Sequence, residues 1–532
     1  MKESLSLPNF RRISDFLFHY ASATPFQEAI VFGGQRISYL QLAESVRLCA
    51  RALTALGVAR GCRVAVLSTP RPEHFIVFLA AASIGAIWIG LNPRHSADEL
   101  RYVVEDSRPT VLFSIASFDQ KSFGPTVSSL QIAVPGLHVV SIAGRIDGAT
   151  VPYEDFVLRG DARPLSEWQQ AQNDVGSNDP VAVVYTSGSS GVPKGVILTH
   201  NGLVEGYLIQ HKHWGVKPLR VLNNLPINHI ASLGDLSLYS LLAGGTIVYM
   251  ERFLADGALR VIEGERITFL QQFPTQFRLI VDEPRYSSVD LSNLRVIAWG
   301  GAAVPRALIC QLQETGAQLY NSYGLTECGG PVFFTDDDAS IDTLADTIGR
   351  PDPAFEVRIV DDRGQLQSLG QPGEMLLRGR SFMSGYLNNP GETGRALTPD
   401  GWLRTGDVAR CCSDGNYQLV GRIKDMYKSG GYSIYPREIE TVLERHAEIS
   451  MAAVIAVPDA LYQEVGHAFL VPKAKGSIDE ASIARYCREC MANYKVPKQF
   501  TFVDVLPTLP NGKVDKRALR RLILEHSQQI VG

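Results

Sequence analysis

Tyr185-Thr186-Ser187-Gly188-Ser189-Ser190-Gly191-Val192-Pro193-Lys194-Gly195 follows the apolar run Val181 to Val184 and precedes Val196-Ile197-Leu198-Thr199-His200-Asn201-Gly202. The apolar run predicts a buried strand, and regular structure resumes after the loop. Glycines let backbone N–H groups turn toward one anion. Thr186, Ser187, Ser189 and Ser190 add hydroxyl donors and Lys194 adds charge. A strand feeding such a loop is an anion cradle. It is not a Walker A loop, because that pattern needs Gly-Lys-Ser/Thr, whereas Pro193 precedes Lys194 and Gly195 follows it. Kinase and GTPase chemistry therefore lose their main support. A solvated Ser/Gly turn is the bland alternative, but a linker rarely sets Lys directly after Pro and then returns to an apolar strand.

A second cation-bearing glycine turn, Pro510-Asn511-Gly512-Lys513-Val514-Asp515-Lys516, stands near the other end of the chain. Alone, Asn-Gly-Lys is merely a hairpin turn. Paired with the first loop, it suggests one nucleotide gripped by two domains. Between the two lie Trp299-Gly300-Gly301-Ala302, Asn321-Ser322-Tyr323-Gly324-Leu325-Thr326-Glu327, Gly401-Trp402-Leu403-Arg404-Thr405-Gly406-Asp407 and Gly421-Arg422-Ile423-Lys424-Asp425. In content and order these motifs resemble those of the adenylate-forming enzymes, the superfamily of acyl-CoA synthetases, amino-acid-adenylating domains and beetle luciferases. The chain is most similar to an acyl-CoA ligase. The likeness runs from Tyr185 to Lys516, and the first 180 residues match more loosely, through Ile37-Ser38-Tyr39 and Leu91-Asn92-Pro93.

Composition agrees with such an enzyme. With 532 residues and 45% apolar side chains, the chain can bury large cores and should divide into more than one domain. A net charge of -4 gives no reason to expect nucleic acid or an anionic membrane as partner. The apolar stretch Phe75 to Leu91 approaches bilayer-spanning length, but Gly85 divides it into a helix-like and a strand-like half, which predicts a buried helix followed by a core strand and no transmembrane segment. The first residues lack a secretory apolar core and the last three are not a peroxisomal tripeptide, so the expected location is the cytoplasm. Eight scattered cysteines form no disulfide framework. Cys487 and Cys490 have metal-like spacing but sit in a helical pattern without a second pair.

Apolar strand-like runs alternate with amphipathic stretches to about residue 350, and short strands separated by Gly, Pro and Asp turns follow. The expected fold is α/β. A large N-terminal domain, residues 1–423, holds stacked α/β layers and a small β-barrel-like subdomain at about 351–422, and a small mobile α+β C-terminal domain covers 424–532.

The resemblance implies a first reaction in which a carboxylate oxygen attacks the α-phosphorus of ATP while pyrophosphate leaves. Both partners are anions, so Mg²⁺ and positioned cations must offset charge as it develops. By motif position Glu327 is the Mg²⁺ ligand and Thr326 a neighbouring phosphate contact. The ATP/AMP site takes Thr186, Ser187, Gly188, Ser189, Ser190, Gly191 and Lys194 from the first loop, and Asn321, Ser322, Tyr323 and Gly324 from the fourth motif. Tyr323 offers a flat face for adenine, while Gly300, Gly301 and Ala302 let the purine approach backbone. A buried core tyrosine is the alternative. Asp407 is placed to accept both ribose hydroxyls, and Arg422 to hold ribose or phosphate. Lys513 resembles the adenylation lysine, whose stem reaches substrate carboxylate and α-phosphate.

A second step is also implied: a thiol attacks the acyl adenylate and releases AMP. Lys513 would obstruct the thiol, and the family's solution is rotation of the C-terminal domain about a hinge residue, here Lys424. Rotation brings Lys428, Ser429, Gly430 and Gly431 to the site, where glycines admit a narrow pantetheine arm; an ordinary turn is the alternative for that pair. The acyl pocket is assigned to His229, Ile230, Ala231, Gly329 and Gly330, with His229 beside the carboxylate. Amino-acid-adenylating domains place an aspartate where Ala231 stands, which argues against amino acids, although Asp235 lies one helical turn on. The expected substrates are ATP, CoA and a hydrophobic aryl, cyclic or medium-chain carboxylate. Three alternatives stand beside this: loading of an acyl carrier protein, a luciferase-like oxidase for which no residue argues, and a non-catalytic nucleotide-binding homologue. A homodimer is kept open.

Overall fold

The computed structural model describes residues 7–146, 150–186, 192–474, 476, 478–509 and 514–531, with side chains up to 523. Among these residues, those up to 351, joined by the edge strand Gly385–Tyr386, form two large sheets. The nine-stranded sheet runs, edge to edge, through strands Arg350–Pro351, Gly330–Phe334, Gln318–Leu325, Val296–Gly300, Phe269–Gln271, Arg220–Asn223, Thr246–Tyr249, Glu28–Phe32 and Gln35–Ser38. The eight-stranded sheet has Pro180–Thr186, Ile87–Leu91, Arg63–Leu67 and Val111–Ile115 as consecutive inner strands. One core joins the two sheets: Val64, Val66 and Trp88 of one, Ile30, Val221, Ile247 and Phe269 of the other, and residues of helices Pro72–Ser83 and His200–Trp214 belong to the same apolar cluster. No helix of the described residues is long and apolar enough to cross a membrane.

The stretch Phe75 to Leu91 resolves as expected from its glycine. Helix Pro72–Ser83 starts on Pro72, whose missing N–H costs nothing at a first turn, and it is buried on all sides. Gly85 stops it with a φ of 73°, and strand Ile87–Leu91 follows, every residue buried. Four buried branched or aromatic side chains, Ile87, Trp88, Ile89 and Leu91, in parallel pairing on both flanks are what a central strand requires.

The site-bearing loops follow from strand direction. Strands Phe269–Gln271, Val296–Gly300 and Gln318–Leu325 pair in parallel, so their carboxyl ends open on one side of the sheet. The hairpin from Leu325 to Gly330 then reverses the chain. It is tight enough that a Cβ on Gly324 would lie 2.3 Å from the Gly330 carbonyl oxygen.

From residue 356 most strand pairs are antiparallel, the exception being Gln463–Pro472 with Gln499–Phe502. Four strands, Glu356–Val360, Gly373–Arg378, Leu403–Cys411 and Tyr417–Arg422, lie in that order. The turn Ile423–Asp425 leads to strand Tyr427–Ser429, which belongs to a five-stranded sheet with Tyr432–Ile434, Ile449–Asp459, Gln463–Pro472 and Gln499–Phe502. Helices Pro436–Glu444 and Glu480–Cys490 pack on it through Ile439, Leu443, Ile483 and Cys487. Cys487 thus serves as a core residue while Cys490 is exposed, and all eight cysteines are free thiols.

Helix Tyr153–Asp161 crosses helix Tyr39–Ala55 so closely that a Cβ on Gly160 would sit 2.2 Å from the Leu48 carbonyl oxygen. Backbone cannot yield as a side chain can, so Gly160→Ala is expected to destabilise the N-terminal layers by about 1–3 kcal/mol, read as an earlier first transition in urea.

Candidate functional site

A cavity of about 860 Å³ lies at the carboxyl ends of the parallel strands and is lined by residues from nearly every motif: Thr186, Lys194, Gly300, Gly301, Thr326, Glu327, Arg422 and Lys424 among them. Its volume is that of a pocket for a whole organic ligand rather than a solvent gap. Ser187, Gly188, Ser189, Ser190, Gly191 and Lys513 lie outside the described residues. Their neighbours are on view: Thr186 faces Lys194 across the hairpin that carries the first loop, Thr508 bridges to Val514, and Leu509 lines the cavity.

Lys194 and Glu327 meet on one tyrosine. The Lys194 ammonium stands 4.4 Å from the ring centre of Tyr386, whose hydroxyl donates to Glu327 Oε1 at 2.9 Å. Lys194 also pairs with Glu392 at 3.1 Å, and that hydrogen bond holds the Glu392 carboxyl below its usual range. Burial, then the Glu327 charge, pushes the Tyr386 hydroxyl well up, so it remains a donor. Neither Tyr386 nor Glu392 belongs to a motif singled out in the sequence. Strand Gly385–Tyr386 pairs with the strand that begins at Lys194, and helix Pro390–Ala396 follows, so topology brings them there.

A second ionic group stands beside the cavity, where Arg422 lines it and Asp407 does not. Asp407 sits across from Arg422 in adjacent antiparallel strands and binds its Nε at 2.7 Å. Its other oxygen accepts the Tyr323 hydroxyl at 2.6 Å, and its backbone N–H donates to Thr405 Oγ at 3.0 Å. With a side chain only 3% exposed, this carboxylate depends on those partners. The Asp407 charge raises the Arg422 pKa, and burial raises that of the Tyr323 hydroxyl. Tyr323 is itself buried, edge-on to Phe333, and is not among the residues lining the cavity. Asn321 is likewise buried and gives its amide to the carbonyls of Leu344 and Thr347. Ser322 and Gly324 do line the cavity, Ser322 donating to the Trp299 carbonyl, while Ala302 is exposed outside it.

The remaining assigned residues divide in the same way. His229, Ile230, Ala231 and Gly330 line the cavity, with the His229 ring edge-on to Phe273. Gly329 does not. A Cβ there would meet the Ser381 carbonyl at 2.5 Å, so its smallness serves packing. Gly430 and Gly431 turn the hairpin between Tyr427–Ser429 and Tyr432–Ile434 with φ values of 55° and 87°. That hairpin, with Lys428 and Ser429, is not part of the cavity wall in this arrangement. Asp235, Gln271 and Gln272 line it without having been assigned. Their strings carry no motif, and only the meeting of a helix with a strand end reveals them.

Tyr323→Phe leaves Asp407 one donor short, and an expected loss of about 1–3 kcal/mol in chemical denaturation follows from the cost of an unmade buried hydrogen bond to a charged group. Nucleotide affinity, measured by calorimetry, should weaken with it because Arg422 loses its fixed partner geometry.

The family model for AMP-binding enzymes matches residues 17–387, and that for the AMP-binding enzyme C-terminal domain matches residues 438–513. The feruloyl-CoA synthase of an Amycolatopsis species is 34% identical over 94% of this chain and 97% of its own length. The indoleacetate–CoA ligase of Aromatoleum aromaticum is 34% identical over 96% and 98%. Among solved structures, the anthranilate CoA ligase AuaEII in complex with anthranoyl-AMP superposes with a TM-score of 0.85, at 25% identity over 98% of this chain and 99% of that one.

Proposed function

The chain belongs to the AMP-binding enzyme family and is an AMP-forming acid–CoA ligase, and on that premise we propose that its cavity joins a hydrophobic aryl, cyclic or medium-chain carboxylate to CoA through an acyl adenylate. The observation that carries this reading is the continuity of the cavity. Thr186, Lys194, Glu327 and Arg422 line the same space as Ile230, Ala231, Phe273 and Gly330, so a polar end fit for a nucleotide opens into an apolar end fit for an acyl group.

In the first half-reaction a carboxylate oxygen bonds to the α-phosphorus of ATP and the bond to pyrophosphate breaks. Lys194 stands at the phosphate end as a cation already offset by Glu392, so it can exchange that partner for phosphate oxygens at little cost. Arg422 and Thr405 hold the ribose end through Asp407. Glu327 offers a hard oxygen at the cavity wall, a donor that suits Mg²⁺ shared with substrate phosphates. When bound, that ion neutralises charge on the phosphate oxygens. Lys513 supplies the remaining cation, a role supported by Leu509 lining the cavity and by the bridge between Thr508 and Val514.

In the second half-reaction the CoA thiol, losing its proton, bonds to the acyl carbon and AMP leaves. With Leu509 on the cavity wall and the 428–431 hairpin off it, the structure stands in the arrangement suited to the first step. Rotation about Lys424 exchanges the two. The boundary of the rotating unit falls at the turn Ile423–Asp425, between the four-stranded and five-stranded sheets.

Incubation with ATP, Mg²⁺, CoA and pooled carboxylic acids should yield an acyl-CoA by mass spectrometry. Acyl adenylate without acyl-CoA would point to a carrier protein as the thiol donor instead. Lys513→Ala is expected to lose most pyrophosphate release, by about 100-fold or more, yet keep thiolysis of supplied acyl adenylate; equal losses in both half-reactions would sink the two-arrangement assignment.

A further inference from the structure

Asp235 is a carboxylic acid in the apolar end of the cavity. It lies on the π-helix Ala231–Leu238, directly after the acyl-end residues Ile230 and Ala231, and lines the cavity while only 8% exposed. Such wide turns occur mostly at functional sites because they redirect one side chain out of the helical register. Oδ1 accepts the Tyr207 hydroxyl at 3.2 Å and Oδ2 accepts the Gln271 amide at 2.9 Å. The position is prepared by sequence: a Cβ on Gly234 would lie 1.6 Å from the Tyr207 oxygen, so glycine there admits the tyrosine that steadies the acid. Burial raises the Asp235 pKa to about 6, and the groups that hold it down, Gln271 and Tyr207, are neutral.

Gln271 supplies the second observation. It is 5% exposed and lines the cavity, and its Oε1 has no hydrogen-bond partner among the described residues. Its amide nitrogen is spent on Asp235, which fixes the carbonyl as the group left over. Asp235 and Gln271 Oε1 therefore stand side by side as acceptors on a cavity wall where Gln272 Oε1 and Asn228 Oδ1 also lack partners among the described residues, and a buried acceptor without a donor is a standing cost that a ligand donor would relieve.

We propose that Asp235 and Gln271 recognise a hydroxyl group on the acyl portion of the substrate, remote from its carboxylate, so that the acid is a hydroxylated one, an alcohol or a phenol. The inference rests on the reading of this cavity as the acyl site and narrows it. A hydroxyl fits better than an ammonium. Each Asp235 oxygen already accepts one hydrogen bond, so a single O–H matches what the carboxylate and Gln271 Oε1 leave open, and a neutral hydroxyl enters this buried end without the desolvation cost that an ammonium carries.

The test compares acids that differ by one hydroxyl: 3-phenylpropanoic acid with its 4-hydroxy derivative, octanoic acid with 8-hydroxyoctanoic acid, and the 4-aminomethyl analogue of the first. Pyrophosphate release and acyl-CoA formation give kcat/KM for each. The hydroxylated member of at least one pair should lead by about 10-fold or more, since a site built to bind a hydroxyl rejects the analogue lacking it. In Gln271→Met and Asp235→Asn that ratio should fall toward unity, and because it is a ratio, a uniform loss of activity through altered packing leaves it unchanged. A lead for the hydroxyl-free acids throughout, a ratio untouched by both substitutions, or a lead for the aminomethyl acid would overturn the inference. Turnover of apolar acids alone would overturn only this step, whereas no pyrophosphate release with any acid would overturn the acyl-site reading beneath it.

Discussion

The carboxylate of Asp407 is the point on which the architecture turns. It is held from the nine-stranded sheet by the Tyr323 hydroxyl and from the four-stranded sheet by Arg422, with Thr405 steadying its backbone. A charge this buried is tolerable only where its partners are fixed. Fixing them locks the two sheets together along one wall of the cavity. It also sets the last strand before the turn Ile423–Asp425, so the place where the five-stranded sheet departs is determined by the same ion pair.

The Lys194 and Glu327 group applies the same economy to charges of both signs. Two groups that phosphate chemistry needs, Lys194 and Glu327, would attract each other if left adjacent. Tyr386 keeps them apart while serving both, offering its ring face to the cation and its hydroxyl to the carboxylate. Glu392 then holds the lysine poised rather than wandering. The cavity is in this sense preorganised at both groups, which is where electrostatic catalysis draws its advantage: the cost of orienting charges is met during folding.

Much of this was legible in the sequence because the motifs are local. A Gly-rich loop after a strand, a Gly-Gly after Trp299 and the Tyr323 string each fall at strand ends, and strand ends are where an α/β sheet builds its site. The buried helix and strand flanking Gly85 were legible for the same reason, a length and a breaker. What a string does not carry is the direction of each side chain. Ser322 and Gly324 reach the cavity while Asn321 and Tyr323 turn into the packing behind it. Gly329 is small to admit Ser381, not an acyl group. Tyr386, Glu392 and Gln271 were illegible because each acquires its role from a partner far away in the chain, and Asp235 was visible only as an aspartate one helical turn beyond Ala231. The π-helix was hidden too, since Ala231 to Leu238 reads as an ordinary apolar helix until Tyr207 is seen filling the space at Gly234.

The polar acyl end and the two-step chemistry place opposite demands on one cavity. In the two-step scheme proposed here, adenylation gathers cations around phosphate and Lys513 is withdrawn before a thiol approaches, so the C-terminal unit leaves while the acyl adenylate stays. Groups that hold the intermediate must therefore belong to the part that does not move. Asp407, Glu327, Lys194, Asp235 and Gln271 all precede the turn at Ile423–Asp425, whereas Leu509 and the 428–431 hairpin follow it. The proposed chemistry matches this division along the chain: the groups proposed for recognition lie on the sheets before Arg422, and the proposed exchange of reaction steps falls to the segment beyond it.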